Sequence, residues 1–114
     1  MNAGFPHEPP RRVEIDRLIH EPGRLVIMAT LYVVEEADFV YVAQRTGLTP
    51  GNLNSHMARL VDGDYVAVKK TFAANRPRTV YSLTKEGHTA IQQYRQQVGN
   101  LLALIEPFTR PYGL

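Results

Sequence analysis

From Leu25 to Tyr32 every position except Ala29 and Thr30 carries a large apolar side chain. A segment apolar nearly all round predicts a buried, central helix, here over about Gly23–Val34. Ahead of it, Ile15, Leu18 and Ile19 share one helical face and predict a first helix over Val13–Ile19. His20-Glu21-Pro22-Gly23 breaks that helix, and Pro22 suits the first turn of the next, where its missing N–H costs nothing. Ala37-Asp38 opens a third helix over Phe39–Arg45, closed by Gly47 as a left-handed cap. Leu48 then plugs the turn into the core. Thr49 is a good N-cap and Pro50 a good first helical residue, so a fourth helix runs from Pro50 to Val61. Two strand-like runs follow, Tyr65–Phe72 and Thr79–Leu83. Thr84 then caps a long last helix that stops before Pro107.

Two helices joined by a short Gly-containing turn form a helix-turn-helix. With a β-hairpin after it, the order predicts an α+β, mainly α fold: a winged helix-turn-helix with a two-stranded wing and a long C-terminal helix. The hairpin leans on the edge of the helices and leaves its tip free. The organisation expected is a loose, Pro- and Gly-rich lead-in over 1–12, a winged-helix unit over 13–90, and a C-terminal dimerisation part over 91–114.

The fourth helix divides cleanly by angle. Leu53, Met57, Leu60 and Val61 make an inner stripe, and Gly51, Asn52, Ser55, Ala58, Arg59 and Asp62 face the other way. Asn54 and His56 lie on the flanks. Any exposed helix face is polar, but a merely solvated one normally uses Glu and Lys, and residues 50–60 contain neither. Gly, Asn and Ser are poor helix formers. They suit a face that must approach base edges, where Asn pairs with adenine, Arg with guanine and Ser with either base or phosphate.

Charge sharpens the picture. The net charge is only +2, but it is unevenly distributed. Acids crowd the first third, whereas Tyr65–Lys85 holds Lys69, Lys70, Arg76, Arg78 and Lys85 without one Asp or Glu. Arg76 and Arg78 flank Pro77 at what reads as the hairpin tip. They suit a minor groove or flanking phosphates. Lys69 and Lys70 point to opposite faces of a strand, so at most one faces DNA directly; Lys69 is the candidate taken. A solubilising loop is the plainer alternative.

Other chemistries are weakly supported. The chain has no cysteine, so no disulfide, thiolate metal site or cysteine nucleophile is available. His7, His20, His56 and His88 show no metal-site spacing, and no metal or cofactor is expected. Ser55 and His56 are adjacent and cannot face each other on a helix. Glu35, Glu36 and Asp38 read as a solvated helix end. No phosphate loop or nucleophile elbow is present, so an enzyme is not expected. No apolar run is long enough for a membrane span and no secretory signal is readable, which makes a cytoplasmic protein the default. In the last helix Ile91, Tyr94, Val98, Leu101 and Ile105 alternate spacings of three and four, with Leu102 beside them, a heptad seam. The seam either packs inside the molecule or meets a second copy; its length favours a second copy.

Several of these segments resemble a known group. Leu18-Ile19-His20-Glu21-Pro22-Gly23-Arg24-Leu25-Val26-Ile27-Met28 resembles the opening of small bacterial winged-helix transcriptional regulators of the MarR and ArsR type. Leu48-Thr49-Pro50-Gly51-Asn52-Leu53-Asn54-Ser55-His56-Met57-Ala58-Arg59-Leu60 is similar to their recognition helix. Asp64-Tyr65-Val66, Arg76-Pro77-Arg78-Thr79-Val80-Tyr81-Ser82-Leu83-Thr84 and Glu86-Gly87 resemble their wing and its exit. The short MarR-like members are the nearest in kind. The resemblance covers about Ile15–Ile91. It implies homodimers on pseudo-palindromic double-stranded DNA, with the first and last helices at the interface. Asn52, Asn54, Ser55 and Arg59 would read DNA, with Arg76 and Arg78 as the wing; Thr49 and Lys69 join them as DNA-binding candidates from the reading of the residues alone. Two departures stand out. The family's usual Gly before the Tyr is Asp64 here, and the ArsR metal-sensing cysteines are absent. The function expected is therefore a dimeric, sequence-specific transcriptional regulator. The alternative is a winged helix used as a protein-interaction module, since fold does not fix function.

Overall fold

The structure, a computed structural model, describes residues 14–105. The lead-in over 1–12, Val13 and the tail beyond Ile105 lie outside the described residues. The elements run in the order α1 (Pro22–Val34), β1 (Glu36–Asp38), α2 (Phe39–Thr46), α3 (Pro50–Asp62), β2 (Val66–Ala73), β3 (Arg76–Leu83) and α4 (Lys85–Leu102), closed by a 3-10 turn over Ala103–Ile105.

The helix starts follow from side-chain caps. Glu21 caps α1 by accepting from the Arg24 N–H, and Asp38 caps α2 from Tyr41. Thr49 caps α3 from Asn52, and Thr84 caps α4 from Gly87. Each satisfies one of the N–H groups that a helix start leaves without a partner. Gly47 ends α2 at φ 74°, as the left-handed position requires. The end of α3 explains the departure at Asp64. Tyr65 N–H donates to the Leu60 carbonyl at 2.9 Å and Asp64 N–H to that of Val61 at 3.0 Å. That pair of bonds is the Schellman ending, whose left-handed residue is usually Gly. Here Asp64 takes it at φ 64°, while Gly63 keeps φ −86°.

The helix expected over Val13–Ile19 is corrected. Residues 17–19 form only a turn. Asp16 is the cause: its Oδ1 accepts from the N–H groups of Leu18 and Ile19 at 2.9 and 3.2 Å. A short polar side chain that captures nearby N–H groups competes with helix, and one turn is too short to propagate against the cost of nucleation. The segment is still anchored. Ile19 is fully buried, Asp16 N–H donates to Gln97 of α4, and Tyr65 donates its hydroxyl to Asp16 Oδ2.

The hairpin of β2 and β3 is the two-stranded wing expected, with two corrections around it. First, the sheet has three strands in the order β1-β3-β2, because Glu36, Ala37 and Asp38 pair antiparallel with Ser82, Tyr81 and Val80. Of the acids read as a solvated helix end, Glu35 does cap α1, but Glu36 and Asp38 belong to this short strand. Second, the tip is Ala74-Asn75, not Arg76-Pro77-Arg78. Ala73 pairs with Arg76, and Ala74 and Asn75 both have positive φ, 53° and 64°, which marks a two-residue type I′ hairpin turn.

The core is contributed by all the helices and one sheet face. Ile19, Ile27, Met28, Leu31, Val42, Leu53 and Leu60 are fully shielded, and Val66, Tyr81 and Leu83 close it from the sheet. Central α1 is not buried all round as its composition suggests: Tyr32 and Val33 are exposed.

Candidate nucleic-acid interface

Helix α3 turns Leu53, Met57 and Leu60 inward and leaves Gly51, Asn52, Asn54, Ser55, Ala58 and Arg59 exposed. The angular division expected from the sequence is the one observed. The exposed side chains of Asn52, Ser55 and Arg59 share one face over about two helical turns. Thr49 spends an Oγ1 lone pair on the Asn52 N–H at 3.2 Å, which leaves its hydroxyl proton free to donate. His56 belongs to the packing instead. It is half-buried, with Nδ1 3.4 Å from Arg24 Nη1 and 3.7 Å from Glu21 Oε1, and it ties α3 to the start of α1. The Glu21 carboxyl is held below its ordinary range, first by the Arg24 N–H and then by the charges of His56 and Arg24.

The strand register decides which wing residues accompany α3. Side chains alternate along a strand, and directly paired residues share a face. Val66, Val68, Lys70 and Phe72 of β2 therefore lie with Leu83, Tyr81, Thr79 and Pro77 of β3. This is the core-facing side, and it continues outward past α3. Between α3 and this side lies a groove of about 630 Å³ lined by Asn54, Met57, Ala58, Val61, Val68, Lys70 and Thr79 among others. Lys70 thus stands next to the exposed face of α3.

Lys69, Arg76 and Arg78 lie on the other side of the sheet. Two of them meet acids that the sequence places far away. Lys69 Nζ is 3.6 Å from Glu36 Oε2, and Arg78 Nε donates to Asp38 Oδ2 at 3.2 Å. Asp38 is held below its usual range mainly by the Tyr41 N–H it caps, and further by Arg78. Hence the acid-free stretch 65–85 is not acid-free in space: β1 brings two carboxylates to its outer face. The sequence reading took Lys69 from the pair and passed over Lys70 and Phe72, which are the residues on the α3 side. The signal was there, since both share the parity of Val66, the strand's buried residue.

Along α4, Tyr94 is buried, Ile91, Val98 and Leu101 are half-buried, and Leu102 and Ile105 are exposed. Beside them α1 and α4 frame a mainly apolar groove of about 730 Å³, lined by Leu25, Ala29, Tyr32, Val33, Ile91 and Val98 among others. Among the described residues there is no group of three or more His, Cys, Asp or Glu that could hold a metal ion, and no helix long and apolar enough to cross a membrane.

Comparison with known proteins agrees with this architecture. The model of the winged helix DNA-binding domain family matches residues 24–102. An uncharacterised protein of Methanocaldococcus jannaschii is 32% identical over 90 residues, which span 79% of this chain and 98% of that protein. The structure of a transcriptional regulator homologue from Pyrococcus horikoshii superposes with a TM-score of 0.74 at 30% identity, covering 79% of this chain and 89% of that one. A MarR family transcriptional regulator from Silicibacter pomeroyi shares the fold, with a TM-score of 0.60 at 20% identity over 80% of this chain and 60% of that one. The chain belongs to the winged helix DNA-binding domain family.

Proposed function

We propose that the protein is a sequence-specific transcriptional regulator, not an enzyme, that binds double-stranded DNA as a homodimer. Helix α3 lies in the major groove, with Asn52, Asn54, Ser55 and Arg59 towards base edges and Thr49 on a phosphate. The wing crosses the adjacent backbone. The observation that carries this reading is the exposed face of α3, free of Glu and Lys over residues 50–60 and flanked by Lys70 on the wing. Arg76 and Arg78 remain on the outer side of the wing, where they bind flanking phosphates, and Lys69, beside Glu36, adds only to the field. Residues 13–90 act as the DNA-binding unit and 91–114 as the dimerisation part, although α4 crosses that boundary as one helix. A second copy covers the seam of Ile91, Tyr94, Val98, Leu101, Leu102 and Ile105. A two-fold dimer demands a pseudo-palindromic operator with half-sites about one helical turn, ~34 Å, apart.

Selection of sites from random duplexes, followed by titration, tests the reading. Asn52→Ala is expected to cost about 1–3 kcal/mol on the selected site and much less on scrambled DNA. Equal loss on both would mean that α3 only positions the protein. Light scattering of the intact chain should give a dimer at micromolar concentration, and a monomer would overturn the two-fold arrangement.

A further inference from the structure

Phe72 is 73% exposed, near the end of the wing, on the side of the sheet that faces α3. It is not a core residue, and its strand partner Pro77 stiffens the opposite chain. Pro is tolerated there because β1 pairs only with 80–82, so β3 has a free edge at Pro77. Phe72 lies four positions along the strand from Val68, which lines the groove against α3. At the rise of a strand those four steps span about 13 Å, and Lys70 stands roughly midway. A helix in a major groove about 12 Å wide therefore has Lys70 at the phosphate ridge and Phe72 beyond it, over the neighbouring minor groove. Lys70 and Arg76 make that end of the molecule complementary to the backbone on either side. Apolar side chains delivered into a minor groove act as wedges that unstack a base step and kink the duplex towards the major groove.

We infer that Phe72 is such a wedge: it enters the minor groove flanking each half-site, unstacks one base step and bends the operator. This rests on the DNA-binding reading above. It predicts preference for flexible pyrimidine–purine steps at positions that α3 never touches.

The test uses the full chain and a selected duplex carrying end dyes for bend measurement by energy transfer, with 2-aminopurine placed at successive flanking steps. The intact protein should bend the duplex and brighten 2-aminopurine at one step per half-site. Phe72→Ala should abolish both signals and weaken binding about tenfold, while the salt dependence stays as it was. Phe72→Leu, still an apolar wedge, should retain part of the bend. Because the ring is exposed, both variants should keep the helical circular dichroism of the parent. An unbent, unbrightened complex with the intact protein would overturn the wedge, as would Phe72→Ala bending and binding like the parent. Failure of the intact protein to bind any duplex would instead overturn the DNA-binding reading itself.

Discussion

Lys69 and Lys70 are neighbours in sequence and opposites in space, and this makes a sharp prediction. Lys70 lines the groove beside α3, whereas Lys69 lies on the far face, 3.6 Å from Glu36. Replacing each in turn by Ala, in otherwise intact protein, separates the two faces of the wing. If Lys70 contacts one phosphate per subunit, Lys70→Ala removes two contacts from a dimer. The slope of log K against log salt should then become shallower by about 1.8, with about 60-fold weaker binding at ~0.1 M salt, or ~2.4 kcal/mol, fading towards 1 M. Lys69→Ala removes an exposed pair worth about 0–1 kcal/mol, and its slope should stay near that of the parent. Anisotropy titrations on one duplex across a range of salt concentrations read both quantities. If Lys69→Ala flattens the slope and Lys70→Ala does not, the DNA-facing side of the wing has been assigned wrongly. A drop of only about 0.9 for Lys70→Ala would show a single copy on the DNA.

Three further outcomes concern the scaffold. The Tyr65 phenol, half-buried and donating to Asp16, is pushed up to about 12, so folding favours its protonated form. Its contribution is complete below pH 10, declines as pH rises from 10 to about 12, and cannot exceed ~2.7 kcal/mol before discounting for partial exposure; urea unfolding of Tyr65→Phe should lack that alkaline decline and be weaker at pH 7 by about 1.5–3 kcal/mol. Ala74→Asn places a residue tolerant of left-handed backbone at φ 53° and should raise stability by about 0.5–1 kcal/mol in thermal unfolding; no gain would argue against the type I′ tip. A Cβ on Gly87 would lie 2.1 Å from the Tyr65 carbonyl oxygen, so Gly87→Ala should cost about 1–3 kcal/mol by forcing two backbones apart, and an unchanged midpoint would contradict that close approach.

The sequence announces α2, α3 and α4 almost to the residue, because Asp38, Thr49, Thr84 and Gly47 are caps with a local mechanism. It is equally plain about which side of α3 is buried, since that depends only on helical angle. What it hides is non-local. Three residues of β1 carry no periodicity, and only pairing with Ser82, Tyr81 and Val80 makes them a strand. The same pairing brings Glu36 and Asp38 to Lys69 and Arg78, a neutralisation that a linear count of charge cannot reveal. The turn at Ala74-Asn75 lacks the usual glycine, so Pro77 drew the tip two residues too far along. Ile15, Leu18 and Ile19 kept helical spacing but lost the helix to the side chain of Asp16.

The junction at Thr84 has a mechanical meaning. One residue joins the wing strand β3 to α4, and its N–H donates to the Tyr65 carbonyl at 3.0 Å, so the strand passes into the helix without slack. The 18 residues of α4 then form a rod about 27 Å long. In the proposed dimer its far end meets the partner and its near end carries the wing. A tilt of about 10° at the far end displaces the near end by roughly 5 Å, a sizeable fraction of the groove it must fit. The reach between the two DNA-binding heads is thus geared to the crossing angle of the paired rods, and whatever alters that angle retunes the operator spacing the protein accepts.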